Sequence, residues 1–145
     1  MKVPGGSNVC YARGMAMYHL HVRFVKRSEG RSSCAAAAYR AGEKLRDEYR
    51  GETFDFRHKA EQVKHEEVMT PDHVPDRLSD RQTMWGTVET TLNYKTGQPA
   101  FELEVALPRE LEHKQRVTLA RDFAQREFVD NGLIVDLCIH MARAS

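Results

Sequence analysis

Cysteine is scarce and scattered. Cys10, Cys34 and Cys138 are the three in 145 residues, and no two form a C-x-x-C pair. A disulfide-framed fold is therefore excluded, and a reducing cytosol fits better. No run approaches the ~18 apolar residues of a membrane helix, and no signal peptide is visible. Excess charge is also lacking: the formal net charge is +1. Attraction for nucleic acid must then come from a local patch, such as the segment between Lys26 and Lys44. There is no internal repeat and no low-complexity tract. What remains is enough chain for one domain with a real core, in the composition of a soluble globular protein. A soluble, cytoplasmic protein without a membrane segment is the expectation.

The informative stretch is Gly30-Arg31-Ser32-Ser33-Cys34-Ala35-Ala36-Ala37-Ala38-Tyr39-Arg40. Four consecutive alanines are strong helix formers. Ser32 or Ser33 can cap the helix start. Lys26, Arg27 and Arg31 precede the run, and Arg40 and Lys44 follow it. A helix N-terminus in this basic setting suits a phosphate. Ala35, Ala38, Tyr39 and Gly42 share a face, so small neighbours leave the Tyr39 ring uncovered. The alternative is an ordinary helix with a half-buried tyrosine. Cys34, near the same helix start, is either a reactive thiol with a lowered pKa or a small packed side chain.

In chain order, residues 1–14 carry Pro4, Gly5 and Gly6 and read as a loose leader, with a domain over 15–145. Residues 18–25 alternate, with Tyr18, Leu20, Val22 and Phe24 on one side and His19, His21 and Arg23 on the other. The tyrosine helix is expected to run to about Glu48 and to stop at Gly51. Residues 52–57 and 63–69 are strand candidates, read as a hairpin on an edge. Ser79 and Gln82 form a capping-box pattern, predicting a helix over 79–93 with Trp85 in the core. Residues 101–107 alternate, with Glu102 and Glu104 opposite Phe101, Leu103, Val105 and Leu107. A third helix begins near Glu110, with Val117, Ala120, Ala124 and Phe128 as its stripe and Asn131-Gly132 as its stop. Residues 133–140 form the last strand. The order β-α-β-β-α-β-α-β, with one apolar face per strand, predicts an α+β fold: an open, mostly antiparallel sheet with helices packed on one side.

If the helices cover the apolar face, His19, His21, Glu102, Glu104, Asp136 and His140 share the other. Imidazoles and carboxylates on one surface are the material of a divalent metal site, which would polarise a phosphate under attack by a tyrosyl oxygen. A solvated polar face without metal is the competing reading. His19-Leu20-His21 is a candidate ligand pair but has no acidic cluster beside it in sequence.

A resemblance is carried by 15–20 (Met-Ala-Met-Tyr-His-Leu) with 27–32 (Arg-Ser-Glu-Gly-Arg-Ser), the alanine run through Leu45, 51–56 (Gly-Glu-Thr-Phe-Asp-Phe), and 102–111 (Glu-Leu-Glu-Val-Ala-Leu-Pro-Arg-Glu-Leu) with the strand ending in His140. Together they resemble the start of the MobA/MobL relaxases, mobilisation nucleases of the MobQ type. The resemblance implies the palm of an HUH nuclease, a five-stranded antiparallel sheet flanked by helices. It implies an enzyme that nicks single-stranded origin-of-transfer DNA through a 5′-phosphotyrosyl intermediate, with relaxosome accessory proteins as partners and no small-molecule substrate. Tyr39 matches the nucleophile, and His140 matches the first of three histidines that hold a divalent ion, Mg or Mn. Glu102 and Glu104 match the acidic strand beside that ion. Arg27, Arg31, Ser32, Arg40 and Lys44 are the candidate DNA contacts.

Family members follow the first histidine with a strand bearing His-x-His, whereas here Met141-Ala142-Arg143-Ala144-Ser145 follows. The expectation is therefore a truncated or partial relaxase, weak in metal binding and in activity. A non-catalytic DNA-binding or partner-binding module is the rival. Either way, the nuclease reading requires Tyr39, His140 and the Glu102 strand to lie on one side of the sheet.

Overall fold

The computed structural model describes residues 9–12, 15–92 and 97–141. Most of the expected leader, the helix end at Asn93 and part of the turn before Pro99 fall outside them. Val9–Ala12, however, forms strand β1, antiparallel to the start of β2 (Met15–Val25). Val9 and Tyr11 suit a strand, and the longer β2 supplies the backbone partners that four residues lack alone. The Pro-Gly-Gly composition just upstream hid this element from the sequence reading.

Strand β2 also pairs antiparallel with the later strand Ala100–Ala106, so that Val22 faces Leu103 and Arg23 faces Glu102. A second pair joins Val63–Met69 to Val135–His140. A third joins Lys44–Asp47 to Glu52–Asp55. In chain order these strands are β3 (Lys44–Asp47), β4 (Glu52–Asp55), β5 (Val63–Met69), β6 (Ala100–Ala106) and β7 (Val135–His140). The helices are α1 (Ser33–Ala41), α2 (Arg81–Thr91) and α3 (His113–Glu127). The α+β class and the antiparallel pairing are as expected, whereas the predicted β4–β5 hairpin is not formed. A 3-10 segment, Arg57–Gln62, separates those two strands, and each takes a different partner.

Helix α3 packs on both larger sheet pieces. Leu119 and Phe123 meet Leu103 and Val105 of β6. Ala124 meets Val135 and Leu137 of β7, with Met69 and Val129. Burial of this ridge supplies the main drive for docking, at roughly 1.5–3 kcal/mol for each large apolar side chain. The cover is incomplete: Val22, Phe24 and Phe101 stay 44–47% exposed.

The helices are not confined to one face. Helices α1 and α2 lie on the polar side that was expected to be open. Trp85 of α2 packs with Ala37, Ala38 and Leu45, and its indole N–H donates to Asp136 of β7 at 2.8 Å. The Arg81 guanidinium, almost buried, donates to Asp136, Glu43 and Glu66 at 2.6–2.8 Å, joining α2 to both strands of the β5–β7 pair. Paired acids on the strands thus substitute for an apolar surface beneath a helix.

Helix α1 ends at Ala41, seven residues before the expected end near Glu48. Gly42 adopts φ 65°, and its N–H closes on the Ala38 carbonyl. This is the left-handed C-cap that glycine takes without strain. The freed residues 44–47 become β3. Helix α2 is capped by Asp80, which accepts from the Thr83 N–H at 2.9 Å, not by the Ser79/Gln82 box. The Gln82 amide instead reaches both backbone groups of Arg46, accepting at 2.8 Å and donating at 2.9 Å, and so closes the edge of β3.

Candidate active site

Ser32 caps α1, its hydroxyl accepting from the Ala35 N–H at 3.1 Å while donating to Asp47 at 2.6 Å. Ser33 donates twice to Glu89 of α2, from its N–H at 2.8 Å and its hydroxyl at 2.6 Å. The helix start is thereby bolted to β3 and α2, and the basic helix terminus expected to meet a phosphate is largely occupied by protein carboxylates. Arg27 completes this bolt. Its side chain is 2% exposed and pairs with the fully buried Glu89 at 2.8 Å. It also donates to the Leu92 carbonyl at 2.5 Å and to the Glu89 carbonyl, and it lies over the Tyr49 ring. Arg27 is thus a structural residue, a correction to its expected role as a DNA contact. Burial alone would raise the Glu89 carboxyl, but the bonds from Ser33 and Arg27 hold it below the usual range.

Tyr39, two turns further along, is 45% exposed. Its ring is less open than its small neighbours suggested. Phe56 meets it edge-on at 5.3 Å, and the Lys59 ammonium lies 4.4 Å from its centroid. These contacts hold the phenol in place on a positive wall. Beside it opens a cavity of about 380 Å³, with Tyr39, Ala35 and Ala36 on one wall and Arg23, Arg31, Arg40 and Arg50 around it. Glu52 and Glu102 are the carboxylates of the lining, so arginines outnumber acids.

Glu102 does not stand on an open face. It accepts from Arg31 at 3.1 Å and from Arg40 at 3.3–3.4 Å. Burial opposes its charge, yet the two guanidinium groups hold its carboxyl below the ordinary range. His140, at the end of β7, reaches the backbone of the residue after Tyr39: its Nε2 lies 2.5 Å from the Arg40 carbonyl oxygen. A carbonyl only accepts, so Nε2 is the donor in this contact. Glu102 and His140 thus both meet Arg40, the residue after Tyr39, Glu102 through its side chain and His140 through its backbone, and His140 does not line the cavity.

Not every candidate joins them. Glu104 is exposed one pleat along β6, cross-strand from His21. Lys44 is exposed on β3 opposite Asp55 and does not line the cavity. Ser32 lines it with a hydroxyl already committed. His19 lies on β2 at a position whose side chain is outside what the structure describes. Arg23 and Arg50 were missed. Arg23 had a signal, since it alternates with the apolar residues of β2. Arg50 had none, because it falls between the helix expected to end near Glu48 and the strand candidate at 52–57. Cys34 is buried, and burial together with Asp47 and Glu89 pushes its thiol up to about 12, the opposite of a reactive cysteine.

For a metal, the fit fails as far as the structure reaches. Among the described residues, no three His, Cys, Asp or Glu side chains are grouped to hold an ion. Glu102 is neutralised by arginines, and His140 contributes a single imidazole.

Comparison with known proteins decides the lineage. The sequence model of the MobA/MobL family matches residues 31–145. The chain belongs to the MobA/MobL family. It is 37% identical over 131 residues to mobilization protein MobL of Acidithiobacillus ferridurans, covering 89% of this chain and 33% of that protein. It is 33% identical over 126 residues to the probable mobilization protein MobA of Bifidobacterium longum, covering 87% of this chain and 22% of that one. The conjugal transfer protein TraA of Agrobacterium fabrum is 31% identical over 136 residues, with 12% of its length covered. This MobA/MobL chain thus spans a third or less of those relatives. A solved structure described as the molecular basis of vancomycin resistance transfer in Staphylococcus aureus matches with a TM-score of 0.82 at 32% identity. It covers 89% of this chain and 65% of that one.

Proposed function

We propose that this MobA/MobL chain carries the tyrosine side of a DNA strand transferase acting on single-stranded DNA at an origin of transfer. The observation that carries the reading is a half-exposed phenol fixed at the rim of an arginine-lined cavity, with His140 anchored to the neighbouring backbone. The relatives' names, mobilization and conjugal transfer proteins, supply the biological context.

In this reading the Tyr39 oxygen attacks phosphorus in line. A bond forms between that oxygen and phosphorus, and the bond from phosphorus to the 3′ oxygen breaks. The phenolic proton is released to solvent or a neighbouring base, and the leaving 3′ oxygen takes up a proton as it departs as a hydroxyl. The DNA 5′ end stays linked to Tyr39. Arg31 and Arg40 offset the charge that develops on the phosphoryl oxygens, the electrostatic part of such catalysis. The bond energy of the phosphodiester is kept in the phosphotyrosine, so transfer can be reversed by a 3′ hydroxyl.

The test is a denaturing gel of the chain incubated with labelled origin DNA and Mn²⁺ or Mg²⁺. A slow-migrating covalent band that is lost in Tyr39→Phe is the expected result. Salt-sensitive binding with no such band in the unaltered chain would favour the rival, a module that holds DNA without cutting it.

A further inference from the structure

Glu102 was expected beside a metal, but its surroundings assign it other work. Its side chain is 10% exposed and both its oxygens are engaged. Arg31 comes from the loop before α1 and Arg40 from the end of that helix, so no local geometry sets their spacing. Arg31 is held a second time, donating to the Phe24 carbonyl at 3.2 Å. Both guanidinium groups line the cavity beside Tyr39, and both are about one-third exposed. A long side chain left free in water loses much rotamer entropy on capturing an anion. Two that are already fixed lose less, and they present planar donor forks suited to a phosphate.

We propose that Glu102 is a positioning residue: it holds Arg31 and Arg40 as a preformed pair, and that pair takes one phosphodiester of a single DNA strand beside Tyr39. The inference rests on the DNA reading above but assigns Glu102 a part that this reading does not require. It also makes a prediction of unusual sign. A carboxylate that acted only through its charge would repel DNA, so its removal would tighten binding. A positioning carboxylate does the opposite.

The experiment measures binding of a fluorescein-labelled 12-nucleotide oligo-dT by anisotropy, over a salt series, for the full chain and its variants. Arg40→Ala and Arg31→Ala should each weaken binding and flatten the salt dependence, by about 0.7 in the log–log slope for each phosphate no longer neutralised. Glu102→Gln, which removes the charge, should weaken binding about fivefold or more and flatten the slope as the arginine variants do. Glu102→Asp, which keeps the charge but shortens the reach, should also weaken it, and it serves if the glutamine variant does not fold. Binding that is unchanged or tighter in the Glu102 variants, while the arginine variants are impaired, overturns the positioning role alone. Absence of salt-dependent binding in the unaltered chain overturns the DNA reading and this inference with it.

Discussion

Arg27 and Arg31 lie four residues apart in one basic segment, and their surroundings give them opposite parts. Arg31 reaches the cavity, whereas Arg27 turns inward to Glu89. A buried ion pair is costly to break, because the survivor keeps its desolvation penalty and loses its partner. Arg27→Met, which keeps the length of the stem and removes the charge, should therefore cost about 3–5 kcal/mol in a urea unfolding experiment. An Arg27 that served DNA alone would leave the unfolding midpoint unmoved. The residue types in this segment were legible as basic. Which of them faced outward was not, since the partner Glu89 lies 62 residues away.

Among the elements, α1 depends on where it stops. A Cβ at Gly42 would lie 2.8 Å from the Ala60 Cα, in addition to the strain of φ 65°. Gly30 has a similar φ of 72° with nothing within 4 Å of such a Cβ. The left-handed backbone alone costs an alanine about 1–2 kcal/mol. Gly30→Ala should then lower stability by about that amount, and Gly42→Ala by clearly more, as measured by thermal unfolding. Equal losses at the two sites would mean that the approach of Ala60 adds nothing. The same glycine explains the overextended helix of the sequence reading. Lys44-Leu45-Arg46-Asp47 is compatible with helix and becomes a strand only because Gly42 turns the chain and residues 52–55 are present to pair with it.

At the scale of the whole molecule, acid should loosen the structure through the carboxylates that fasten its parts. Glu89 ties α1 to α2, and Glu102 ties β6 to α1. Both carboxyls are held below the ordinary glutamate value of 4.5. The unfolded chain therefore binds their protons first as pH falls. Their stabilisation is complete above about pH 4.5 and is lost progressively as the pH drops through the lower folded values. Glu43, raised chiefly by burial, acts in the opposite sense, but it is 38% exposed and its effect is screened. Melting temperatures should hold steady from pH 7 to 5 and fall below pH 4.5. A melting temperature that rises on acidification would show that the opposing effect of Glu43 outweighs these two fasteners.

The sequence by itself determined the elements with strong local signals: the alanine helix, the alternating strands β2, β6 and β7, and the α3 stripe. Those signals are local because periodicity, capping and propensity act within a few residues. Only the tertiary structure decided that α1 and α2 cover the acidic face, that Glu102 binds arginines, and that Arg27 is buried while Arg50 is delivered to the cavity. Each of these depends on pairs tens of residues apart. The energy of such pairs comes from a low-dielectric setting that does not exist until the chain has folded.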